Sequence, residues 1–278
     1  MNVENISHGY FEYQNQNYFI AKIDTRFLQV YSQYDFLIHS LNVRGFEIVK
    51  NCFHQIISQD HVLLTFEYET FDIYQYLTYS LKVIPVGYLS IQEIKESWIH
   101  KIDLVREEIS KYAYSFQFDR DLNALMHYYC GLGENGICIL NEILTIQKNA
   151  QLSLSLSLKQ PVHSYYYELL NPCHYTISTK AKHILNLLKS HIIDLKFLNQ
   201  LIEGSYFQIY ELLYLYARMF YSSDFFHCVL TQQMSDENIR FFLNNYQIEL
   251  RQIQEMKKLI SKYISLPEIS WIDEENMI

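Results

Sequence analysis

The sequence predicts an α+β protein of two lobes, a small mixed lobe in residues 1–85 and a large helical lobe in residues 86–278. Short runs of aromatic and β-branched residues, each closed by a polar turn, are concentrated before residue 70. Beyond that point apolar residues recur at helical spacing over long stretches. With 49% hydrophobic and 19% charged residues in 278, the chain can bury a substantial core.

Residues 9–23, "GYFEYQNQNYFIAKI", read as two strands around a polar turn at Gln14–Asn17. A helix is expected over 25–42, where Phe27, Leu28, Tyr31, Tyr34, Leu37, Ile38 and Leu41 share one face. "FEIVKN" and "HVLLTFEY" supply two further strands. The amphipathic stretch "SIQEIKESWIHKIDLVREEISKYAYSF" then lines up Ile94, Trp98, Ile102, Val105 and Ile109, with Ser90 and Glu93 as a capping box at its start. A second helix is expected over 119–130, ended by the glycines of "CGLGENG"; the alternating "LSLSLSL" fits a strand or a loop. Helices follow over 179–191, 193–203, 205–221 and 235–264, the last capped by Asp236, before an acidic, irregular tail. A strand–strand–helix–strand–strand lobe followed by a helical one is the outline of a two-lobed, protein-kinase-like fold.

Several function classes are disfavoured. A formal net charge of −9 argues against a general nucleic-acid binder. Cys52, Cys130, Cys138, Cys173 and Cys228 show no paired spacing and read as reduced thiols in a cytosolic chain, with no metal site. No leader peptide and no membrane span are expected. The 25 tyrosines and 17 phenylalanines suit a core and interfaces.

The stretch "QPVHSYYYELLNPCHYTIS" (160–178) has the outline of a phosphotransferase loop. That chemistry needs a strand lysine for nucleotide phosphates, a loop carboxylate to orient the acceptor, and an Asn and a second Asp to hold Mg²⁺. Lys22, late in "FIAKI", is the cofactor-binding candidate. His163 takes the histidine position, but Tyr165 stands where the loop Asp belongs. Asn171 lies eight positions after His163, and Ser178 stands where the metal-binding Asp would close the strand. Between Ile143 and Ile193 the single carboxylate is Glu168, and one acid cannot serve as both base and metal anchor. The region is locally basic, and Lys180 and Lys182 at a helix start are candidates for meeting an anion or an acidic partner. Elsewhere Arg218 is expected to fix packing through a buried carboxylate or carbonyl, and Glu134 and Asn135 to satisfy the backbone of a turn.

Four blocks then resemble a family in order and spacing over roughly residues 95–230. They are "SWIHKIDLVREEISKY" (97–112), "HYYCGLGENGICIL" (127–140), "LLNPCHYTISTKAKHIL" (169–185) and "IYELLYLYARMFYSSDFFHCV" (209–229). Together they resemble the spore coat-associated, kinase-like proteins of endospore-forming Bacillus-type bacteria, the CotS/YutH type. Gly131, Leu132, Glu134 and Asn135 carry the likeness furthest, then Tyr216, Ala217 and Arg218. The sequence departs from the family where Ser178-Thr179 replaces Asp-His and Lys182-His183 replaces Arg-Asp.

The resemblance implies an aminoglycoside phosphotransferase-like fold and a role in sporulation or the spore coat. The expected protein is a catalytically inactive pseudokinase without cofactor. It would bind other coat or sporulation proteins, in the mother-cell cytoplasm or the coat. The rival expectation is an ATP-dependent small-molecule phosphotransferase using Lys22, Glu168 and Asn171. A helical interaction protein without a ligand cleft is the third.

Overall fold

Gln14 and Asn15 both take left-handed backbone, φ 50° and 60°, the geometry a two-residue hairpin requires. They join β1 (Gly9–Tyr13) to β2 (Gln16–Lys22), with Tyr13 opposite Gln16. The structure is a computed structural model that describes residues 9–49, 61–67, 70–112, 120–162 and 166–269. Cys52 lies outside the described residues. Strand β4 (His61–Phe66) pairs antiparallel with β2 and carries β3 (Glu47–Ile48) on its far side, giving the order β1-β2-β4-β3. Alternation in β4 buries Val62, Leu64 and Phe66 on one face. Helix α1 (Phe27–Leu41) buries Phe27, Tyr34, Leu37, Ile38 and Leu41 of the expected face and adds Val30, while Leu28 is exposed and Tyr31 half-buried; it ends at Asn42 in the left-handed region. Helix α2 (Ile73–Lys82) was not legible in the sequence; Asp72 caps it by accepting the N–H of Tyr74.

Strand β5 (Gly87–Ser90) leads into α3 (Ile91–Tyr112). The Ser90–Glu93 box is formed: Ser90 Oγ accepts the N–H of Gln92 and Glu93 Oε2 that of Ser90. Helix α4 (Arg120–Ile146) corrects the expected stop at residue 130, for it runs on through Gly131, Gly133 and Gly136. Each mid-helix glycine weakens an isolated helix by about 1 kcal/mol, and here packing overrides that. A methyl on Gly133 would meet the side chains of Ile102 and Phe226, and one on Gly136 would meet Trp98, the Ala217 carbonyl and Phe220. Two of the glycines are thus contact points for neighbouring helices. Glu134 and Asn135 accordingly sit inside α4 rather than at a turn. Glu134 pairs with Arg106, and Asn135 Nδ2 donates to the Gly131 carbonyl at 3.0 Å.

Two substitutions test this geometry. Gly131, with nothing within 4 Å of an added Cβ, is expected to gain about 0.5–1 kcal/mol as Gly131→Ala. Gly136→Leu is expected to lose about 1–3 kcal/mol or more through overpacking. Denaturant unfolding of the two variants reads both signs.

Strand β6 (Gln151–Leu158) resolves the alternating tract as a strand, in a sheet of order β5-β6-β7 with β7 (Tyr175–Thr179). Helix α5 (Lys180–Lys189) follows β7 directly. Leu158 is gripped by this helix, its N–H donating to His183 Nδ1 at 3.2 Å and its carbonyl accepting from Asn186 Nδ2 at 2.8 Å.

The remaining helices are α6 (Leu195–Glu203), α7 (Ile209–Met219), α8 (Ser223–Leu230) and α9 (Asp236–Ile260). The expected helix over 205–221 begins four residues later, with Gln208 and Glu211 forming its capping box. Helix α8 is an addition to the sequence reading. Ser235 rather than Asp236 caps α9, accepting the N–H of Asn238. Arg218 donates to the Tyr221 carbonyl and to Ser223 Oγ, and lies over the Trp98 ring, which itself stacks on Tyr221 at 4.3 Å. It ties α7 to the connection through the Tyr221 carbonyl and to α8 through the Ser223 hydroxyl.

Contacts divide the chain into two compact units, residues 1–87 with 153–194, and residues 88–152 with 195–278. The first therefore contains the four-stranded sheet together with the 160–178 stretch.

Candidate functional site

Among the residues expected to carry phosphoryl transfer, His163 and Tyr165 lie outside the described residues. The others are described, all in the first unit. Lys22 is exposed at the end of β2, opposite His61 in the ladder. It lines a cavity of about 20 Å³ together with Asp24, Arg26, Lys159, Cys173 and Tyr175. That volume holds roughly one water molecule, far below the ~300–1,000 Å³ of small-molecule sites. Burial pushes the Cys173 thiol up to about 12, with Lys159 offsetting part of the effect, so it is no thiolate nucleophile.

Glu168 lies half-buried in the 3₁₀ turn Tyr166–Leu170, and its backbone carbonyl accepts from His174 Nδ1 at 3.0 Å. Asn171 is fully buried and occupied on both sides of its amide. Its Oδ1 accepts the N–H of Cys173 at 3.0 Å, capping the turn Pro172–His174, while its Nδ2 donates to the Tyr10 hydroxyl at 3.1 Å. The oxygen that could meet a cation is thus engaged by local backbone. Ser178 sits within β7, paired with Ser155 of β6. Lys180 and Lys182 are half-buried in the first turn of α5, where Thr179 is the cap and accepts the Lys182 N–H. Among the described residues no three His, Cys, Asp or Glu side chains gather closely enough to hold a metal ion.

What the sequence reading missed is a set of tyrosines around this loop. Tyr34 of α1 accepts the N–H of Phe46 at 2.6 Å and donates to the Leu170 carbonyl at 2.5 Å. Tyr175 of β7 donates to the Leu169 carbonyl at 2.5 Å, so the hydroxyl of Tyr76 from α2, also 2.5 Å away, donates to Tyr175. All three rings are almost completely buried, and burial raises every one of their hydroxyl pKa values. They act as neutral donors. Consecutive carbonyls at 169 and 170 are therefore held by Tyr175 of β7 and Tyr34 of α1, with Tyr76 of α2 backing Tyr175. A backbone that would present groups to a substrate is fastened into the first unit's own core.

No protein-family model matches the chain, and no curated protein matches it. Among solved structures the chain is similar to the crystal structure of an aminoglycoside phosphotransferase from Alicyclobacillus acidocaldarius subsp. acidocaldarius DSM 446. The TM-score is 0.56 at 9% sequence identity, covering 90% of this chain and 88% of that one. The chain has the aminoglycoside phosphotransferase-like, kinase-like α+β fold, with a small antiparallel sheet and a helical region. Among the described residues no helix is long and apolar enough to cross a membrane.

Proposed function

We propose that this chain is a pseudokinase, a kinase-like protein that does not transfer phosphoryl groups and works as a binding or scaffold module. Asn171 carries the reading. It is fully buried, with its amide committed to Tyr10 and Cys173, in a stretch whose one carboxylate is Glu168. Phosphoryl transfer depends on positioned metal and hard oxygen ligands, and the cavity that Lys22 lines, about 20 Å³, is far below the size of a small-molecule site. The four ordered blocks that resemble spore coat-associated proteins support a place in spore coat assembly or sporulation. Partners would be other coat or sporulation proteins, met in the mother-cell cytoplasm or the coat.

Thermal melting with and without ATP and Mg²⁺ tests the reading. No metal-dependent rise in Tm is expected. A nucleotide at about 100 times its Kd would stabilise the fold by about 2.7 kcal/mol, and a rise of that order that requires Mg²⁺ would refute the proposal. One observation favours the rival phosphotransferase, namely the three cations Lys22, Arg26 and Lys159 around one cavity. That reading requires ATP turnover lost in Glu168→Gln.

A further inference from the structure

A groove of about 740 Å³ opens in the second unit, where the start of α3, the end of α4 and the first residue of β6 converge. Its volume falls in the range of small-molecule sites. Its lining contrasts with the chain around it. The whole protein carries a formal charge of −9, yet Lys95 and Lys148 line the groove with the carboxamides of Asn141, Asn149 and Gln151, and no Asp or Glu does.

The polar groups divide into two sets. Structural duties hold Ser90 in the α3 cap, Gln92 Nε2 on Glu96 at 2.7 Å, and Thr145 on the Asn141 carbonyl. The two ammonium groups and three carboxamides named above are engaged by no other described residue. Two cations with several amides, each able to donate and accept, match an anion that also carries hydroxyls. The one apolar lining residue is Leu144. The groove therefore lacks the aromatic platform on which a base would stack. It also lacks the aromatic, Met or Arg anchors typical of a protein-docking surface.

We propose that this groove binds an anionic, hydroxyl-rich small molecule, a sugar bearing a phosphate or a carboxylate. The site is separate from the 160–178 stretch and holds whether or not the chain transfers phosphoryl groups.

A ¹H–¹⁵N NMR titration of the full chain tests it, with glucose 6-phosphate, glucuronate, glucose and a triglutamate peptide as probes. At least one sugar acid, at concentrations of about 1–10 mM, is expected to move the amides of residues 90–95 and 141–151. The tighter of the two identifies the anion as phosphate or carboxylate. Lys95→Gln combined with Lys148→Gln, at a half-buried and an exposed position, is expected to weaken that binding about tenfold while leaving the rest of the amide spectrum in place. The proposal is overturned if neither sugar acid moves those amides, or if the double variant leaves the titration unchanged. Glucose binding as tightly as the acids would remove the anion requirement and likewise overturn it. Triglutamate binding there as tightly would assign the groove to an acidic peptide instead.

Discussion

Gly45→Ala is expected to lower the stability of the protein by about 3 kcal/mol or more, although it adds a single methyl to a loop. The added Cβ would press on the Tyr34 hydroxyl and lie 2.9 and 3.0 Å from the Ile38 side chain. That hydroxyl cannot yield cheaply, being fixed between the Phe46 N–H and the Leu170 carbonyl on a ring only 1% exposed. Overpacking contributes about 1–3 kcal/mol, and leaving a buried carbonyl and N–H without partners adds about 1–3 kcal/mol. Tyr34→Phe alone loses the hydrogen bonds without the clash and is expected to be milder. The double variant is the decisive measurement. Phenylalanine has no hydroxyl to collide with, so the pair should be at least about 1 kcal/mol more stable than the sum of the single losses. Strict additivity in denaturant unfolding would show that Gly45 does not act through Tyr34.

Acidification is expected to weaken the fold through His183. The residue is 1% exposed, accepts the Leu158 N–H at Nδ1, and faces the rings of Tyr76 and Tyr175 at 6.1 and 6.4 Å. Its Nε2 finds no acceptor among the described residues. Burial lowers its pKa from 6.5 to about 3. The unfolded chain therefore takes up a proton below about pH 6.5 that the folded chain refuses. The stability this residue contributes is intact above about pH 6.5 and is lost as pH falls toward 3. At 1.36 kcal/mol per pH unit, going from about pH 6.5 to pH 5 removes about 2 kcal/mol, and reaching pH 3 removes roughly 4–5 kcal/mol. The difference in unfolding free energy between the parent and His183→Gln isolates this contribution from other titrating groups, and the gap should narrow as pH falls. An imidazole NMR signal of His183 that titrates near neutral pH in the folded protein would contradict it.

The contrast between α1 and α4 shows what a sequence reveals and why. Helix α1 was legible because its buried residues recur at i, i+3 and i+4, and nothing local competes with that pattern. Helix α4 was cut short in the reading because three glycines within six residues signal a stop, whereas packing against Ile102, Phe226, Trp98 and Ala217 explains Gly133 and Gly136, and Gly131 has no close neighbour. Helices α2 and α8 were missed because "IYQYLTY" and "FFHCV" are rich in aromatic and β-branched residues that favour strands, whereas the equally short, Leu-rich α5 and α6 were legible. At the candidate site the missing carboxylates were countable from the chain alone. The tyrosine network was not, since Tyr34 meets a carbonyl 136 residues away and no local feature marks Tyr34, Tyr76 and Tyr175 out of 25 tyrosines as its members.

The grip of α5 on Leu158 has a consequence for which alignment of β6 the sheet adopts. "LSLSLSL" repeats itself every two residues, so sliding the strand by two puts leucine where leucine was and serine where serine was. Shape and hydrophobicity scarcely distinguish the slipped pairing with β7 from the observed one, in which Leu158 faces Tyr175. Ser155 and Ser157 are buried along with Leu156 and Leu158, so exposure does not choose either. His183 and Asn186 recognise one residue of the repeat by clasping both of its backbone groups. They supply the positional information that the strand itself lacks. Their loss would leave β6 as a mixture of alignments against β7.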